Sequence, residues 1–153
     1  MSASGSRLST AQLYKLQPQL LKSLLDLGEA AAQVIEPKLV HLIKLRVSQL
    51  NGCAFCMKMH AAEAREDGEA QTRLDVLAGW RETELFSVRE QAALSWAESL
   101  TLLAGSKEVA EATYQHVSEQ LTDEELANLT ALVIEINGWN RIAVGFHAQV
   151  TDS

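Results

Sequence analysis

The stretch LIKLRVSQLNGCAFCMKMH, residues 42–60, decides the fold of this chain. Apolar residues recur at helical spacing up to Leu50, and the pattern stops at Asn51-Gly52, a pair typical of a helix C-cap. Cys53 opens a further apolar segment directly after this break. The stretch therefore predicts two consecutive helices that are separated by a very short turn.

The rest of the chain shows the same helical character. Ala, Leu, Glu and Gln dominate, and no sustained alternation of the strand type occurs. We predict an all-α fold with one domain of about six to seven helices, spanning residues 14–150, preceded by a flexible N-terminal tail at residues 1–13. The predicted helices are 18–33, 37–50, 53–67, 69–78, 87–103, 106–119 and 122–147.

Composition and charge narrow the class of protein. The chain has 153 residues, 47% of them hydrophobic, so it is long enough to bury a core. Its net charge of −7 argues against nucleic-acid binding, because phosphate backbones repel an acidic protein. No apolar run is long enough for a membrane span, and the N-terminus has no secretory character. We therefore expect a cytoplasmic protein that binds neither nucleic acid nor membrane.

Three chemically active side chains follow the turn at helical spacing. Cys53, Cys56 and His60 stand at i, i+3 and i+7, which share one face of a helix. The cysteines lie in the first turn, where unpaired N–H groups and the helix dipole stabilise a thiolate. Two thiols at this separation can also close into a disulfide, and His60 can take or give a proton. The set matches thiol-dependent peroxide reduction, in which a sulfenic acid condenses with a second thiol.

His41 joins this group if the two helices form a hairpin. At a rise of about 1.5 Å per residue, position 41 lies about 15 Å from the turn. His60 lies about 10 Å along the other helix by the same rise. The two histidines are then roughly level, and we hypothesise that His41 reaches His60.

Two other interpretations of these residues stay open. The four side chains Cys53, Cys56, His60 and His41 form a Cys2His2 set that suits zinc, although three of them on one helix face differ from the usual spacing of such sites. A non-enzymatic helical oligomer that senses redox state or binds a partner is the second alternative. A thioredoxin-type site is excluded because no βαβ pattern surrounds the cysteines.

Other polar and aromatic residues near the motif are assigned structural roles. Arg46 and Gln49 are predicted to hold helices together, and Trp139 to anchor packing or subunit contacts. The acidic residues between Glu63 and Glu69 are predicted to form a solvated face. No phosphate loop or nicotinamide fingerprint occurs, so no cofactor or metal is assigned.

The string R-x-S-Q-x-N-G-C-x-x-C-x-x-x-H, from Arg46 to His60, closely resembles the AhpD-like alkylhydroperoxidases of the carboxymuconolactone decarboxylase superfamily. The later segment INGWNR, residues 136–141, resembles the C-terminal helix of that family. The resemblance extends over roughly residues 14–147. It implies an all-helical domain that assembles as a homotrimer or homohexamer.

The resemblance also implies a mechanism and partners. Cys56 corresponds to the thiol that attacks the hydroperoxide, Cys53 to the resolving thiol, and His60 completes the centre. An external dithiol reductant, in some systems a lipoyl-bearing adaptor, reopens the disulfide in such enzymes. Family members that act as decarboxylases lack the cysteine pair, so decarboxylation is not expected here.

The chain departs from the family pattern at two positions. His41 stands where the family usually has a glutamate that orients the histidine of the centre, and a second histidine cannot supply a carboxylate. Phe55 stands where the best-known members have a histidine. Both departures concern the rate and the natural substrate rather than the fold.

Overall fold

The computed structural model describes residues 7–152, and every regular element in that range is helical. Ten helical segments follow one another: α1 (Thr10–Leu16), α2 (Pro18–Ala32), α3 (Pro37–Leu50), α4 (Ala54–Glu66), α5 (Gln71–Asp75), a 3₁₀ helix (Leu77–Glu82), α6 (Val88–Thr101), α7 (Leu103–Ser106), α8 (Glu111–Gln120) and α9 (Asp123–Gly145).

The predicted all-α class is confirmed, but the predicted number of six to seven helices is wrong for the described residues. Three short segments account for the difference from seven: α1, the 3₁₀ helix and α7. Ser9 and Gln12 form a capping box that starts α1 inside the stretch predicted as a tail, of which residues 1–6 lie outside the described residues. Lys107 adopts a left-handed φ of 63° and ends α7, so the predicted helix 106–119 begins only at Glu111.

Two longer helices begin at the capping boxes that their sequences predict. Ser87 accepts the N–H of Glu90 at the start of α6, and the Glu90 carboxylate accepts the N–H of Ser87 in return. Thr122 and Glu125 make the same reciprocal pair at the start of α9. Each pair satisfies two N–H groups that a helix start leaves without partners.

Helix α3 is the centre of the core. It packs against α4, α6 and α9, while α2 packs along α9 and α8 covers α6. Half of its fourteen residues are buried: Leu39, Val40, Leu42, Ile43, Leu45, Val47 and Ser48. Each fully buried aliphatic side chain contributes about 1.5–3 kcal/mol relative to an exposed one, so this helix anchors the elements on either side.

The turn between α3 and α4 is a Schellman motif. Gly52 has φ 66°, its N–H donates to the Gln49 carbonyl, and the Cys53 N–H donates to the Ser48 carbonyl. The predicted C-cap at Asn51-Gly52 is therefore confirmed. The left-handed φ at Gly52 favours glycine, because a Cβ would clash with the backbone there.

An amide network ties this turn to α9. The Asn51 side-chain amide donates to Asn137 Oδ1 at 3.0 Å and to Asn140 Oδ1 at 2.9 Å. Asn140 Nδ2 in turn donates to Ser48 Oγ at 3.0 Å. Since Asn140 and Ser48 are buried, the network holds the start of α4 in one position against α9.

Among residues 7–152, no helix combines the length and apolar character that crossing a membrane requires.

Candidate active site

The two cysteines lie at the N-terminus of α4 and are joined by a disulfide. Cys53 is the N-cap residue, Cys56 stands in the first turn, and their Cα atoms are 5.3 Å apart. Cys53 Sγ accepts the backbone N–H of Cys56 at 3.3 Å. The sulfur thus occupies the place of a capping oxygen, where the helix dipole favours negative charge once the disulfide is reduced.

Each sulfur-bearing residue faces a different opening, although both cysteines are buried. Cys56 lines a cavity of about 570 Å³, whose wall is mostly apolar and aromatic: Tyr14, Leu25, Phe55, Met59, Trp139 and Ile142. Cys53 lines a smaller groove of about 260 Å³ together with His147 and Ala148. A small molecule in the large cavity therefore meets Cys56 rather than Cys53.

His60 lines the large cavity one helical turn beyond Cys56. Burial lowers the pKa of His60 from 6.5 to about 4, because the imidazolium loses its hydration. The charge and hydrogen bonding of Glu63 oppose this shift, while the charges of Lys44 and His41 reinforce it. His60 is therefore a neutral imidazole at pH 7, a form that can accept a proton.

A chain of titratable groups connects His60 to the surface. Glu63 Oε2 lies 3.5 Å from His60 Nδ1 and 4.0 Å from His41 Nδ1. His41 Nε2 is 2.5 Å from Asp67 Oδ2, and the Asp67 side chain is 56% exposed. The hairpin brings both histidines to the Glu63 carboxylate, whereas the hypothesis had His41 reaching His60 directly. The outer end of this chain of groups, at Asp67, reaches water.

A second polar group lies in the cavity wall. Lys44 Nζ is 3.4 Å from Glu135 Oε1, and the Trp139 indole N–H donates to Glu135 Oε2 at 3.0 Å. Gly28 on α2 makes room for this carboxylate, since a Cβ added there would lie 2.0 Å from Glu135 Oε2. The pair joins α3 to α9, and Gly28 of α2 lies against its carboxylate.

The C-terminal segment lies over the cysteine pair. His147 has φ 54°, and the Ala148 N–H donates to the Ala143 carbonyl, so the chain reverses at the end of α9. Ala148 then packs against the two cysteines, and Lys58 donates to the Thr151 carbonyl further along. Residues 148–151 consequently run back along α4, and Ala148 and Gln149 line the large cavity.

Several residues of the cavity were not predicted from the sequence. Glu63 belongs to the stretch predicted as a solvated face, yet it lines the cavity and approaches both histidines. Its position three residues after His60 is a signal that would have identified it. Lys44 and Glu135 are 91 positions apart in the chain, and no local pattern connects them.

The predicted structural role of Arg46 agrees with its contacts. Arg46 Nε donates to the buried Glu98 carboxylate at 2.8 Å, and Gln49 Oε1 accepts from Arg46 Nη1 at 3.1 Å. Glu98 also accepts the Trp80 indole N–H at 3.0 Å and Arg81 Nη1 at 2.5 Å. The group lies away from the cysteines and joins α3, α6 and the 3₁₀ helix.

The residues of the zinc interpretation do not form a metal-binding cluster in the described part of the chain. In residues 7–152, no three His, Cys, Asp or Glu side chains converge in a way that could hold a metal ion. Both cysteine sulfurs are instead bonded to each other.

Comparison with known proteins identifies the family. The model of the carboxymuconolactone decarboxylase family matches residues 18–99, which include α3, α4 and the cysteine pair. The chain belongs to the carboxymuconolactone decarboxylase family. Within that family it is an AhpD-like member, as a solved relative with 34% sequence identity indicates.

An uncharacterized Bacillus subtilis protein, YdfG, is 39% identical over 132 residues, covering 86% of this chain and 89% of its own length. A solved Agrobacterium tumefaciens protein of unknown function, proposed to be the antioxidant defence protein AhpD, has a TM-score of 0.85 and 34% identity. That alignment covers 92% of this chain and 97% of the other. An uncharacterized peroxidase-related protein from Silicibacter sp. TM1040 shares the fold, with a TM-score of 0.75 and 19% identity over 92% of this chain and 75% of its own.

Proposed function

We propose that this chain is a thiol-dependent peroxidase that reduces organic hydroperoxides through Cys53 and Cys56 and serves antioxidant defence. The observation that carries the proposal is the Cys53–Cys56 disulfide at a helix N-terminus, with Cys56 on an apolar cavity beside a neutral histidine. Such an arrangement favours a thiolate, admits an apolar substrate and provides a base.

The proposed reaction begins with both cysteines reduced. The Cys56 thiolate attacks the terminal oxygen of the hydroperoxide, the O–O bond breaks, and the alkoxide leaves as an alcohol after taking one proton. Cys56 is then a sulfenic acid. The Cys53 thiol attacks its sulfur, the S–O bond breaks with loss of water, and the disulfide forms. One hydroperoxide and two thiols thereby give one alcohol, one water and one disulfide.

His60 and Glu63 are proposed to move the protons of this reaction. Neutral His60 accepts the Cys56 thiol proton and returns it to the leaving alkoxide. Glu63, 3.5 Å from His60 Nδ1, stabilises the imidazolium that forms in between. His41 and Asp67 continue the path toward water. Glu63 thus supplies the carboxylate that the family usually has at the position of His41.

Regeneration requires an external dithiol, which we propose enters at the groove beside Cys53. The groove shares four lining residues with the apolar cavity but reaches Cys53 instead of Cys56, so we propose that the reductant and the hydroperoxide approach different sulfurs. A lipoyl-bearing adaptor is one dithiol of suitable chemistry. We also propose a homotrimer or homohexamer in the cytoplasm. Large apolar side chains on the surface of the single chain, such as Leu16 and Ile134, support an assembly, which light scattering after size exclusion tests.

The decisive experiment is a single turnover of the fully reduced protein with cumene hydroperoxide, followed by intact mass. We expect rapid, stoichiometric loss of two hydrogens per chain, because the two thiols close into a disulfide. Cys56→Ser should abolish the reaction, whereas Cys53→Ser should stop at a sulfenic acid on Cys56. Oxidation no faster than that of a free thiol would refute the peroxidase and favour the redox-sensing or partner-binding oligomer.

The role of Glu63 has its own test in a pair of variants on α4. Glu63→Gln removes the carboxylate beside His60, and we expect the rate of Cys56 oxidation to fall about 10- to 100-fold. This is less than the roughly 100- to 10,000-fold that a general acid–base group itself contributes, because Glu63 acts through His60. Glu66→Gln removes an exposed carboxylate three residues further on and serves as the matched control. Equal rates in the two variants would exclude Glu63 from proton transfer.

A further inference from the structure

The cavity that holds Cys56 also contains a charged pair that the peroxidase chemistry does not use. Lys44 on α3 and Glu135 on α9 both line this cavity, with Nζ and Oε1 3.4 Å apart. Their side chains are 18% and 5% exposed, respectively. Removing two charges from water to this extent costs free energy, and their mutual attraction does not by itself account for keeping both in a cavity wall.

The carboxylate of this pair occupies a built recess. Trp139, one turn along α9, donates its indole N–H to Glu135 Oε2 at 3.0 Å. On the opposite side, α2 presents Gly28, where any Cβ would lie within 2.0 Å of the same oxygen. Glu135 is therefore held in one orientation, and it in turn positions the Lys44 ammonium at the cavity wall.

Within the described residues, the hydrogen-bonding capacity of Glu135 Oε1 and of the Lys44 ammonium is not fully satisfied. Glu135 Oε1 is buried without a hydrogen bond in residues 7–152, although Lys44 lies at ion-pair distance. Lys44 Nζ carries three donors and makes no hydrogen bond to another side chain or carbonyl of the described chain. Its ammonium is thus the donor that remains available to a molecule in the cavity.

The charged side chains around the cavity determine whether that molecule can itself be charged. Lys44 provides one positive charge, whereas Glu63 and Glu135 provide two negative charges, which leaves an excess of one negative charge. A carboxylate ligand would be repelled by this excess. An ammonium ligand is attracted by the excess but is repelled by Lys44 and has no lone pair to accept a hydrogen bond from it. An uncharged oxygen acceptor, such as an amide or ketone carbonyl, can accept an N–H of Lys44 that the ion pair with Glu135 leaves unused, without either repulsion.

We infer that Lys44 is a specificity-determining residue of this cavity and binds an uncharged carbonyl or hydroxyl oxygen on an otherwise apolar substrate, with Glu135 as its positioning residue. The inference rests on the proposed peroxidase function only in naming the ligand a hydroperoxide. The substrate class is then an apolar hydroperoxide with a second, neutral oxygen function, placed away from the reacting O–O group.

Four probes with a common apolar body test the inference. They are 4-isopropylbenzamide, 4-isopropylbenzoate, 4-isopropylbenzylamine and 4-isopropyltoluene, the last of which is a hydrocarbon without a polar group. Dissociation constants are measured by ligand-observed NMR on the disulfide form of the protein. No peroxide is present, so failure of the peroxidase proposal leaves this result intact, and the reverse also holds. We expect the amide to bind about tenfold more tightly than each of the other three, since a hydrogen bond to a charged group contributes that much.

A charge-free double variant separates recognition from a purely structural bridge. Lys44→Met with Glu135→Gln removes both charges together and keeps an acceptor for the Trp139 indole N–H. The preference for the amide over 4-isopropyltoluene should disappear in this variant. Lys38→Met with Glu124→Gln changes exposed residues of the same two helices, outside the cavity, and should retain the preference.

Three results would overturn the inference: tighter binding of the benzoate, equal binding of the amide and the hydrocarbon, or an amide preference that survives in the double variant. If the double variant fails to fold, as judged by circular dichroism, the four-probe comparison on the unaltered protein still decides the matter.

Discussion

Replacing His60 with asparagine should change how the stability of this protein depends on pH. Burial lowers the pKa of His60 from 6.5 to about 4 in the folded protein, whereas the unfolded chain restores the ordinary value. As the pH falls from above 6.5 toward 4, the unfolded state binds a proton that the folded state does not. The folded state therefore loses stability across this interval, and below it both states are protonated.

The size of the effect follows from the separation of the two pKa values. Each pH unit between 6.5 and about 4 corresponds to about 1.4 kcal/mol, so the wild-type free energy of unfolding should fall by about 3 kcal/mol between pH 7 and pH 4 on account of His60 alone. His60→Asn removes the titrating group. Whatever the substitution costs in packing, that cost is the same at both pH values.

The assay is urea denaturation of the oxidised protein at pH 7 and pH 4, followed by circular dichroism. His116→Asn, on α8 and away from the cavity, controls for the loss of a histidine elsewhere. We expect His60→Asn to lose about 3 kcal/mol less than wild type between the two pH values. A difference below about 1 kcal/mol would show that burial does not lower the pKa of His60 in the folded protein, and the buried, neutral His60 described here would be wrong.

Two further predictions concern stability. Gly28→Ala should lower the free energy of unfolding by about 1–3 kcal/mol, because its Cβ would overlap Glu135. Gly138→Ala, the control, meets only the end of the flexible Leu24 side chain at 3.1 Å and should be close to neutral. Equal urea midpoints for the two variants would contradict this prediction. Glu98→Ala should lower the free energy of unfolding by about 3–5 kcal/mol, because the Arg46 guanidinium stays buried without its carboxylate. Glu124→Ala, on the exposed start of α9, serves as the control. A urea midpoint of Glu98→Ala close to that of the control would mean that water replaces the carboxylate.

Local sequence signals were sufficient where the responsible interaction spans only a few residues. The Schellman turn at Gly52 and the capping boxes at Ser87 and Thr122 each depend on side chains within about one helical turn, so their sequence patterns placed them correctly. The same holds for the pairing of Cys53 with Cys56, whose separation is built into the first turn of α4.

The short helices show where propensity alone fails. Lys107 adopts a left-handed backbone conformation although it is not glycine, and helix propensities do not predict such a break. Near the N-terminus, α1 is short enough to be marginal by itself, and its packing on α2 supports it. Because Thr10 and Tyr14 of α1 line the cavity, this tertiary contact also contributes to the candidate site.

By itself, the sequence determined the family, through the contiguous string around the cysteines, and the all-helical class, through helix-forming residues along the whole chain. It also predicted that the cysteines and His60 share a face, because their spacing repeats within one helix. Only the tertiary structure decided that His41 of α3 approaches the same carboxylate as His60, and that Lys44 meets Glu135 beside Gly28. Those contacts join α3, α4, α9 and α2, and their distances depend on how whole helices pack rather than on any periodic pattern in one of them.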